Sequence, residues 1–385
     1  MANISDCFHM NFVCLKIFGL CFGNKPNKFY KCYSVIYLFI TLPIYFSLLS
    51  LNLVFTPKML EVLIYEFIYY FTEFSVLAKV FMVLRKRNEL REMMNLLDCD
   101  AFKGDDDTSS AIVNRYVNQY KIYWKAYSIL CHFAYISLSL ASLIRFILHS
   151  NIDLPVCKYY FLGDETLERY YVVFWLYQCI GIYGHMMYNI NVDFLIIGLI
   201  MMAIAQVEVV HHEISSRVTE EGVRDGDETA VMTKLKEYLK HYEMLLIYAS
   251  KLQNLISITM FIQLGVASAI ICAILCRLSV SVSVDLILTL TPFSSAMILQ
   301  IFLPAYLGTQ LSYKSEELVY AAYTSEWIHR SQSFKSSLNL FMQRAQVKIS
   351  LTGCGLLPLT LTTFTSIMKT AYSFFTLIRN FQDHD

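Results

Sequence analysis

Seven long apolar stretches run through the chain, and its lysines and arginines collect in every second gap between them. No other feature restricts the possible folds as much. A helix rises about 1.5 Å per residue, so about 20 apolar residues cross a hydrocarbon core about 30 Å thick. The stretches are read as residues 33–55, 59–83, 123–148, 171–204, 254–276, 285–308 and 350–379. They are too long, and too lacking in alternation, for the strands of a membrane barrel. The charge segregation then sets an orientation. Of the 31 Lys and Arg residues, 22 precede the first stretch or fall in the second, fourth and sixth gaps, with Arg85-Lys86-Arg87 tight against a stretch end. The opposite side carries only Lys58, Lys158, Arg169, Arg277 and Arg379. The expectation is an all-α membrane protein of seven transmembrane helices, with the N-terminus cytoplasmic and the C-terminus extracellular.

Composition supports a bilayer setting. Only 16% of residues are charged and 56% are hydrophobic, whereas a soluble domain carries roughly 25% charged residues. The formal net charge is zero, so no nucleic-acid partner is expected. Residues 11–23 are apolar, but Asp6 and His9 precede them where a signal peptide needs a basic segment. They are expected to lie as an amphipathic stretch on the inner membrane surface. The sequon Asn3-Ile4-Ser5 would then be cytoplasmic and unmodified. Of the 11 cysteines, only Cys157 and Cys276 fall near the outer side, so at most one bridge is available, and most of the others read as small packing residues.

The outer gaps are short except for 149–170, an aromatic segment with Pro155 that is expected to fold down as a lid over an outward-facing cavity. The inner gaps hold two charged segments, around Asp105-Asp106-Asp107 and 219–229, read as solvated turns. Flanking segments such as REMMNLLD and TKLKEYLKHYEMLLIYASKL have apolar residues at helical spacing. They are expected to extend the membrane helices into a shared cytoplasmic anchor region. No internal repeat of the transporter kind is visible.

Catalytic constellations fail on inspection. His212-Glu213 could open a zinc-protease motif, but Ser216 occupies the place of the second histidine. There is no Cys-x-x-Cys pair, phosphate loop or nucleophile elbow. The chain is expected not to be an enzyme, and no metal or cofactor is expected. Charges inside the stretches stand out instead, since each costs about 2.5–3.5 kcal/mol at a helix centre on insertion scales. Lys79, Lys125 and Arg145 are placed to snorkel towards a membrane face. For Glu66, Glu73, Asp193 and Lys369 the readings are ion handling or pairing inside the bundle, with pairing favoured for Glu66 and Asp193.

The last stretch has a further pattern. Ser366, Thr370, Ser373, Leu377 and Asn380 recur at steps of four, three, four and three. That puts a largely hydroxyl-bearing stripe on one helix face, interrupted near its outer end by Leu377. Several copies around an axis could line a water-filled pore closed by a leucine ring. Small hydroxyl residues also permit close helix packing, and spacing alone leaves both readings open.

At these residues the chain resembles the insect odorant receptors. The likeness is densest over 299–381, through LQIFLPAYLGTQLSYKSEELVYAAYTSEW, FMQRAQ and TTFTSIMKTAYSFFTLI, with Lys369-x-Ala371-Tyr372-Ser373 typical of odorant-tuned subunits. The related gustatory receptors carry Thr-Tyr, five hydrophobic residues and Gln-Phe. The matching stretch here, Ser373 to Phe381, departs from that pattern and includes Arg379. The resemblance implies an odorant-gated cation channel subunit in the plasma membrane of a sensory dendrite, forming a heterotetramer with a shared co-receptor that this chain is too short to be. It implies a ligand-binding bundle over 1–348 and an anchor and pore helix over 349–385. Ser373, Leu377, Asn380 and Phe381 would form the pore and its gate, with cations permeating. The ligand, a small volatile odorant, would sit in the outer half of each subunit between spans two, three, four and six. By depth the candidates are Tyr65, Tyr69, Ser139, Leu143, Phe146, Tyr177, Tyr183, Met186, Phe293 and Met297, each of which could equally be core packing. Three other readings compete: a self-sufficient gustatory channel, a receptor acting through a G protein, whose topology would be inverted, and a transporter.

Overall fold

The computed structural model describes residues 3–21, 27–103, 106–149, 153–217, 228–280 and 284–382, with side chains in the last helix described through Leu377. Among the described residues, six helices are long and apolar enough to cross a membrane: Lys28–Phe55, Glu61–Arg85, Asp107–Leu148, Tyr171–Ser215, Glu228–Leu278 and Ile287–Thr324. They are spans one to six. A seventh helix, Leu361–Gln382, follows them; its polar stripe sets it apart in hydropathy. The 219–229 loop lies almost wholly outside the described residues.

Span four is the central post. Every residue from Ile190 to Val207 is buried, and spans three and six pack along it, while span two packs on span five. A helix apolar on all sides is stable only when surrounded by others, which explains the uninterrupted Phe194–Ala205 run. Span one carries a widened turn at Ile40–Ile44 around Pro43; proline has no N–H to donate and its ring displaces the preceding carbonyl.

Two expectations are corrected. Residues 11–21, the described part of the stretch 11–23, do not simply rest on a membrane surface. The helix His9–Ile17 docks into the bundle, with Phe8 and Leu15 buried. Asn11 donates to the Asn191 carbonyl at 3.2 Å and accepts from the Tyr120 hydroxyl at 2.6 Å. Gly198 makes room, since a Cβ there would collide with the Phe8 and Tyr120 rings. Secondly, the last span does not begin at 350. Residues 352–358 form a small antiparallel hairpin, with Thr352 opposite Pro358 and Gly353 opposite Leu357. Its turn uses positive φ at Cys354 and Gly355, a conformation that ends any helix. Gln253 clamps it to span five, accepting from the Thr352 N–H at 2.8 Å and donating to its carbonyl at 2.9 Å.

At one end of the bundle, the extensions of spans five and six join the helices Arg87–Leu97 and Gln332–Ala345. Phe334, Leu338 and Phe341 bury one face of the latter in the same core as Tyr242, Leu311 and Leu318. Ser331 caps that helix by accepting from the Phe334 N–H at 3.3 Å. His241 bridges the span-four and span-five extensions, with Nδ1 2.9 Å from Glu213 and Nε2 2.9 Å from Gln206.

Where span six meets the start of the last helix, a Cβ on Gly308 would run into the carbonyl oxygen of Leu359. Backbone cannot swing aside as a side chain can. Gly308→Ala is therefore expected to lose about 1–3 kcal/mol, read as a lower thermal midpoint in detergent. Gly265→Ala, where nothing lies within 4 Å, is the control expected to leave the midpoint unchanged.

Candidate functional site

Spans two, three, four and six enclose a chamber of about 90 Å³. Span two contributes Tyr69, Thr72 and Glu73, and span three Tyr127, Cys131, Ala134, Tyr135 and Leu138. Span four contributes Ile182, His185, Met186 and Asn189, and span six Thr289, Phe293, Ala296, Met297 and Gln300. Within each helix these positions recur mainly at steps of three and four, so one face of each is turned inward. The outer wall is aromatic, with Tyr69 and Phe293 ring centroids 6.0 Å apart. Met186 and Met297 add polarizable, adaptable side chains.

The inner end of the chamber is polar. Lys79 and Asp193, both fully buried, meet at 2.7 Å. Lys79 also donates to Asn189 Oδ1 at 2.8 Å, and Gln300 Nε2 donates to Asp193 Oδ2 at 2.7 Å. Lys79 thus does not snorkel; the carboxylate facing it from span four gives its ammonium a partner that a membrane face would otherwise supply. Asp193 is paired, as favoured, but with a cation from another span. Beside this node, His185 Nδ1 lies 2.5 Å from Glu73 Oε2, and its Nε2 lies 2.7 Å from the Thr41 carbonyl in span one. Glu66, nearer the outside, accepts from Asn52 Nδ2 at 3.1 Å.

Above the chamber lies a second cavity of about 280 Å³, lined by Tyr65, Glu66, Arg145, Asp153, Lys158 and Arg277 among others, and sharing Leu138 and Thr289 with the chamber below. Arg145 borders this cavity, while Lys125 is exposed. The Tyr65 and Tyr69 hydroxyls are 3.4 Å apart across the boundary. The described residues of the 149–170 segment fold down over this second cavity, with Leu154, Val156, Cys157 and Tyr159 buried. Gln178 pins it by accepting from the Val156 N–H at 3.0 Å and donating to the Cys157 carbonyl at 2.9 Å. Asn52 accepts from the Tyr160 N–H at 2.8 Å. All 11 cysteines are free thiols, and burial pushes the Cys157 thiol well above the usual cysteine range.

Of the ten candidates, Tyr69, Met186, Phe293 and Met297 line the chamber and Tyr65 lines the cavity above it. The rest do not line the chamber. Phe146 stacks on Tyr171 at 3.7 Å between centroids. Tyr177 donates to the Ile40 carbonyl at 3.3 Å. Tyr183 faces Phe18 and Tyr135, Ser139 is buried and Leu143 is half-buried. On span three the chamber reaches outward only to Leu138. The residues missed, Tyr135 and Cys131 among them, lie one and two turns deeper than Ser139. Extending the three-and-four spacing inward from Tyr69 and Phe293 leads to Thr72, Glu73, Ala296 and Gln300.

On the last helix, Ser366, Thr370, Ser373 and Leu377 are exposed in the single chain, whereas Ala371 is buried and Ile367 and Met368 pack inward. Lys369 and Tyr372 are exposed as well. Thr370 and Ser373 donate to carbonyls one turn back, at 2.9 and 3.0 Å. The side chains of Arg379, Asn380 and Phe381 lie outside the described residues.

Two outcomes are expected from this geometry. Lys79→Met or Asp193→Leu alone strands a buried charge and should cost about 3–5 kcal/mol, read as lost surface expression; the double substitution should restore most of it. For the outer segment, a membrane-impermeant maleimide should leave Cys157 unlabelled, and Gln178→Ala should make it reactive within the same exposure.

Comparison with known proteins gives a consistent result. The sequence profile described as 7tm odorant receptor matches residues 59–372. Odorant receptor 85c of Drosophila melanogaster is 21% identical over 311 residues, covering 79% of this chain and 78% of that one. Odorant receptor 59a of the same species is 34% identical over 129 residues, covering 33% and 32%. Among solved structures, the olfactory receptor OR5 of Machilis hrabei in complex with eugenol aligns with a TM-score of 0.85 at 16% identity, over 96% of this chain and 97% of that one. A buried chamber among membrane helices, a fold shared almost end to end with an insect olfactory receptor and a profile match over most of the length place this chain in the odorant receptor family, a family of receptors rather than enzymes.

Proposed function

We propose that this chain is a ligand-binding subunit of an odorant-gated cation channel. A small volatile molecule binds in the chamber between spans two, three, four and six, and the last helices of several subunits line a common pore. The single observation that carries the reading is the exposed hydroxyl stripe of the last helix, which coexists with a buried opposite face. A helix in lipid presents apolar residues; Ser366, Thr370 and Ser373 on an open face suit water and neighbouring copies of the helix. The hydroxyl hydrogens of Thr370 and Ser373 point to their own backbone, which leaves oxygen lone pairs for water or a cation. Leu377, half exposed on the same face, is the residue placed to close the pore by dewetting. Asn380 and Phe381 complete the outer mouth.

Further parts of the proposal rest on the charge pattern and the family. The N-terminus is cytoplasmic and the C-terminus extracellular, with the segment 1–348 binding ligand and 349–385 anchoring and conducting. The pore is a heterotetramer with a co-receptor subunit, located in the plasma membrane of a sensory dendrite. The shared fold with OR5, solved with eugenol bound, supports the chamber as the odorant site. Among the earlier candidates, Tyr69, Met186, Phe293 and Met297 are proposed as direct ligand contacts and Tyr65 as part of the entry, while Ser139, Leu143, Phe146, Tyr177 and Tyr183 support the walls. Ligand opens the channel only through its preference for the open arrangement of these helices.

The test is whole-cell current during exposure to a volatile panel, with and without co-receptor, while G-protein signalling is blocked. A cation current that requires the co-receptor is expected, and Leu377→Ala should raise the ligand-free current severalfold. Responses that vanish under the block and return on its release would contradict the channel; current from this chain alone would contradict the heteromer.

A further inference from the structure

The inner end of the chamber has an unequal supply of hydrogen-bonding atoms. Asn189 Oδ1 receives the Lys79 ammonium, and lysine can only donate, so the orientation of the amide is fixed and Nδ2 is left over as a donor. Gln300 Nε2 donates to the Asp193 carboxylate, which fixes that amide and leaves Oε1 as an acceptor. His185 Nε2 faces the Thr41 carbonyl, an acceptor only, and therefore carries a hydrogen. One proton then occupies the 2.5 Å line between His185 Nδ1 and Glu73 Oε2, and wherever it sits the pair is neutral. Glu73 Oε1 is left as an acceptor in both cases. Glu73, Asn189 and Gln300 all line the chamber.

The inner end of the chamber therefore presents two acceptors, Glu73 Oε1 and Gln300 Oε1, and one donor, Asn189 Nδ2, beneath a wall of aromatic and methionine side chains that also carries the Tyr69 hydroxyl. Its charge is balanced, because Lys79 offsets Asp193 and the His185–Glu73 pair is neutral. We propose that this polar end selects ligands bearing a hydroxyl group, which donates to Glu73 or Gln300 and accepts from Asn189. At this end an ether, ester or ketone of the same shape can answer the Asn189 donor but leaves both acceptors dry, a penalty that grows in a water-poor site. An ammonium finds no surplus negative charge there. A hydrocarbon answers none of the three. Since the chamber is compact, the ligand is a small alcohol or phenol.

This inference rests on the chamber being the odorant site, and the experiment separates the two. Cells expressing the chain with its co-receptor would be exposed to straight-chain alcohols from butanol to octanol, to cyclohexanol and to phenol. Each would be paired with the methyl ether and the hydrocarbon of matched heavy-atom count. Alcohols should be at least about tenfold more potent than their ethers, and Glu73→Met, which removes the Oε1 acceptor, should narrow that ratio at wild-type surface level. Met297→Trp, which fills the chamber, should abolish responses to all compounds. If Met297→Trp abolishes responses while ethers match alcohols, the hydroxyl preference is wrong and the chamber stands. If responses survive Met297→Trp, the site itself is elsewhere and both fall. Silence to every alcohol in cells whose channels open to other volatiles overturns the hydroxyl preference, and the wild-type ratio decides it even if Glu73→Met fails to reach the surface.

Discussion

A lysine and an aspartate buried in the middle of the bundle constrain everything around them. In hydrocarbon an ionised group without a partner is untenable. Lys79 and Asp193 meet at 2.7 Å and complete their shells with Asn189 and Gln300, which ties spans two, four and six at one depth. His185 adds span one through the Thr41 carbonyl and span two through Glu73. A buried ion pair contributes little net stability compared with well-packed apolar residues. Its consequence is registry: sliding any of these helices by one turn, about 5.4 Å, would strand a charge. The chamber lies directly on this node, so its shape depends on the registry of the helices that make it.

That arrangement joins binding to movement in a specific way. The residues that close the chamber from the inside are the same residues that fix helix registry, and span six, which carries Gln300, continues inward to Gly308 and its contact with Leu359 at the start of the last helix. A ligand that alters how Met297 and Gln300 pack acts on a helix in backbone contact with the proposed pore element. The outer segment works at the other end. Gln178 and Asn52 satisfy its backbone, so it covers the second cavity as a fixed cap, and that cavity shares Leu138 and Thr289 with the chamber.

The helices were readable because apolar runs of bilayer length have one stable solution, and the lid was readable from its aromatic content beside Pro155. The failures share a physical origin. Residues 350–360 look like membrane helix by composition, and only the positive φ at Cys354 and Gly355 separates hairpin from helix. The N-terminal helix has an apolar face whether it meets lipid or protein; Asn11, with partners on two spans, was the residue that distinguished them. Distance from a helix end places Lys79 near a membrane face but ignores the carboxylate of Asp193 on the neighbouring helix. Nominal depth points to Ser139, Leu143 and Phe146, and depth along a helix shifts by about 1.5 Å per residue. Tyr69, Met186, Phe293 and Met297 converge because their helices cross at that level, which no single-helix pattern encodes.

The most direct test is the structure of the assembled channel, purified with its co-receptor and an activating volatile. The account predicts ligand density enclosed by Tyr69, Met186, Phe293 and Met297, resting on Glu73, Asn189 and Gln300, with Ser373 and Leu377 turned towards the central axis. Density outside that chamber, or a last helix whose hydroxyl stripe faces lipid, would contradict it.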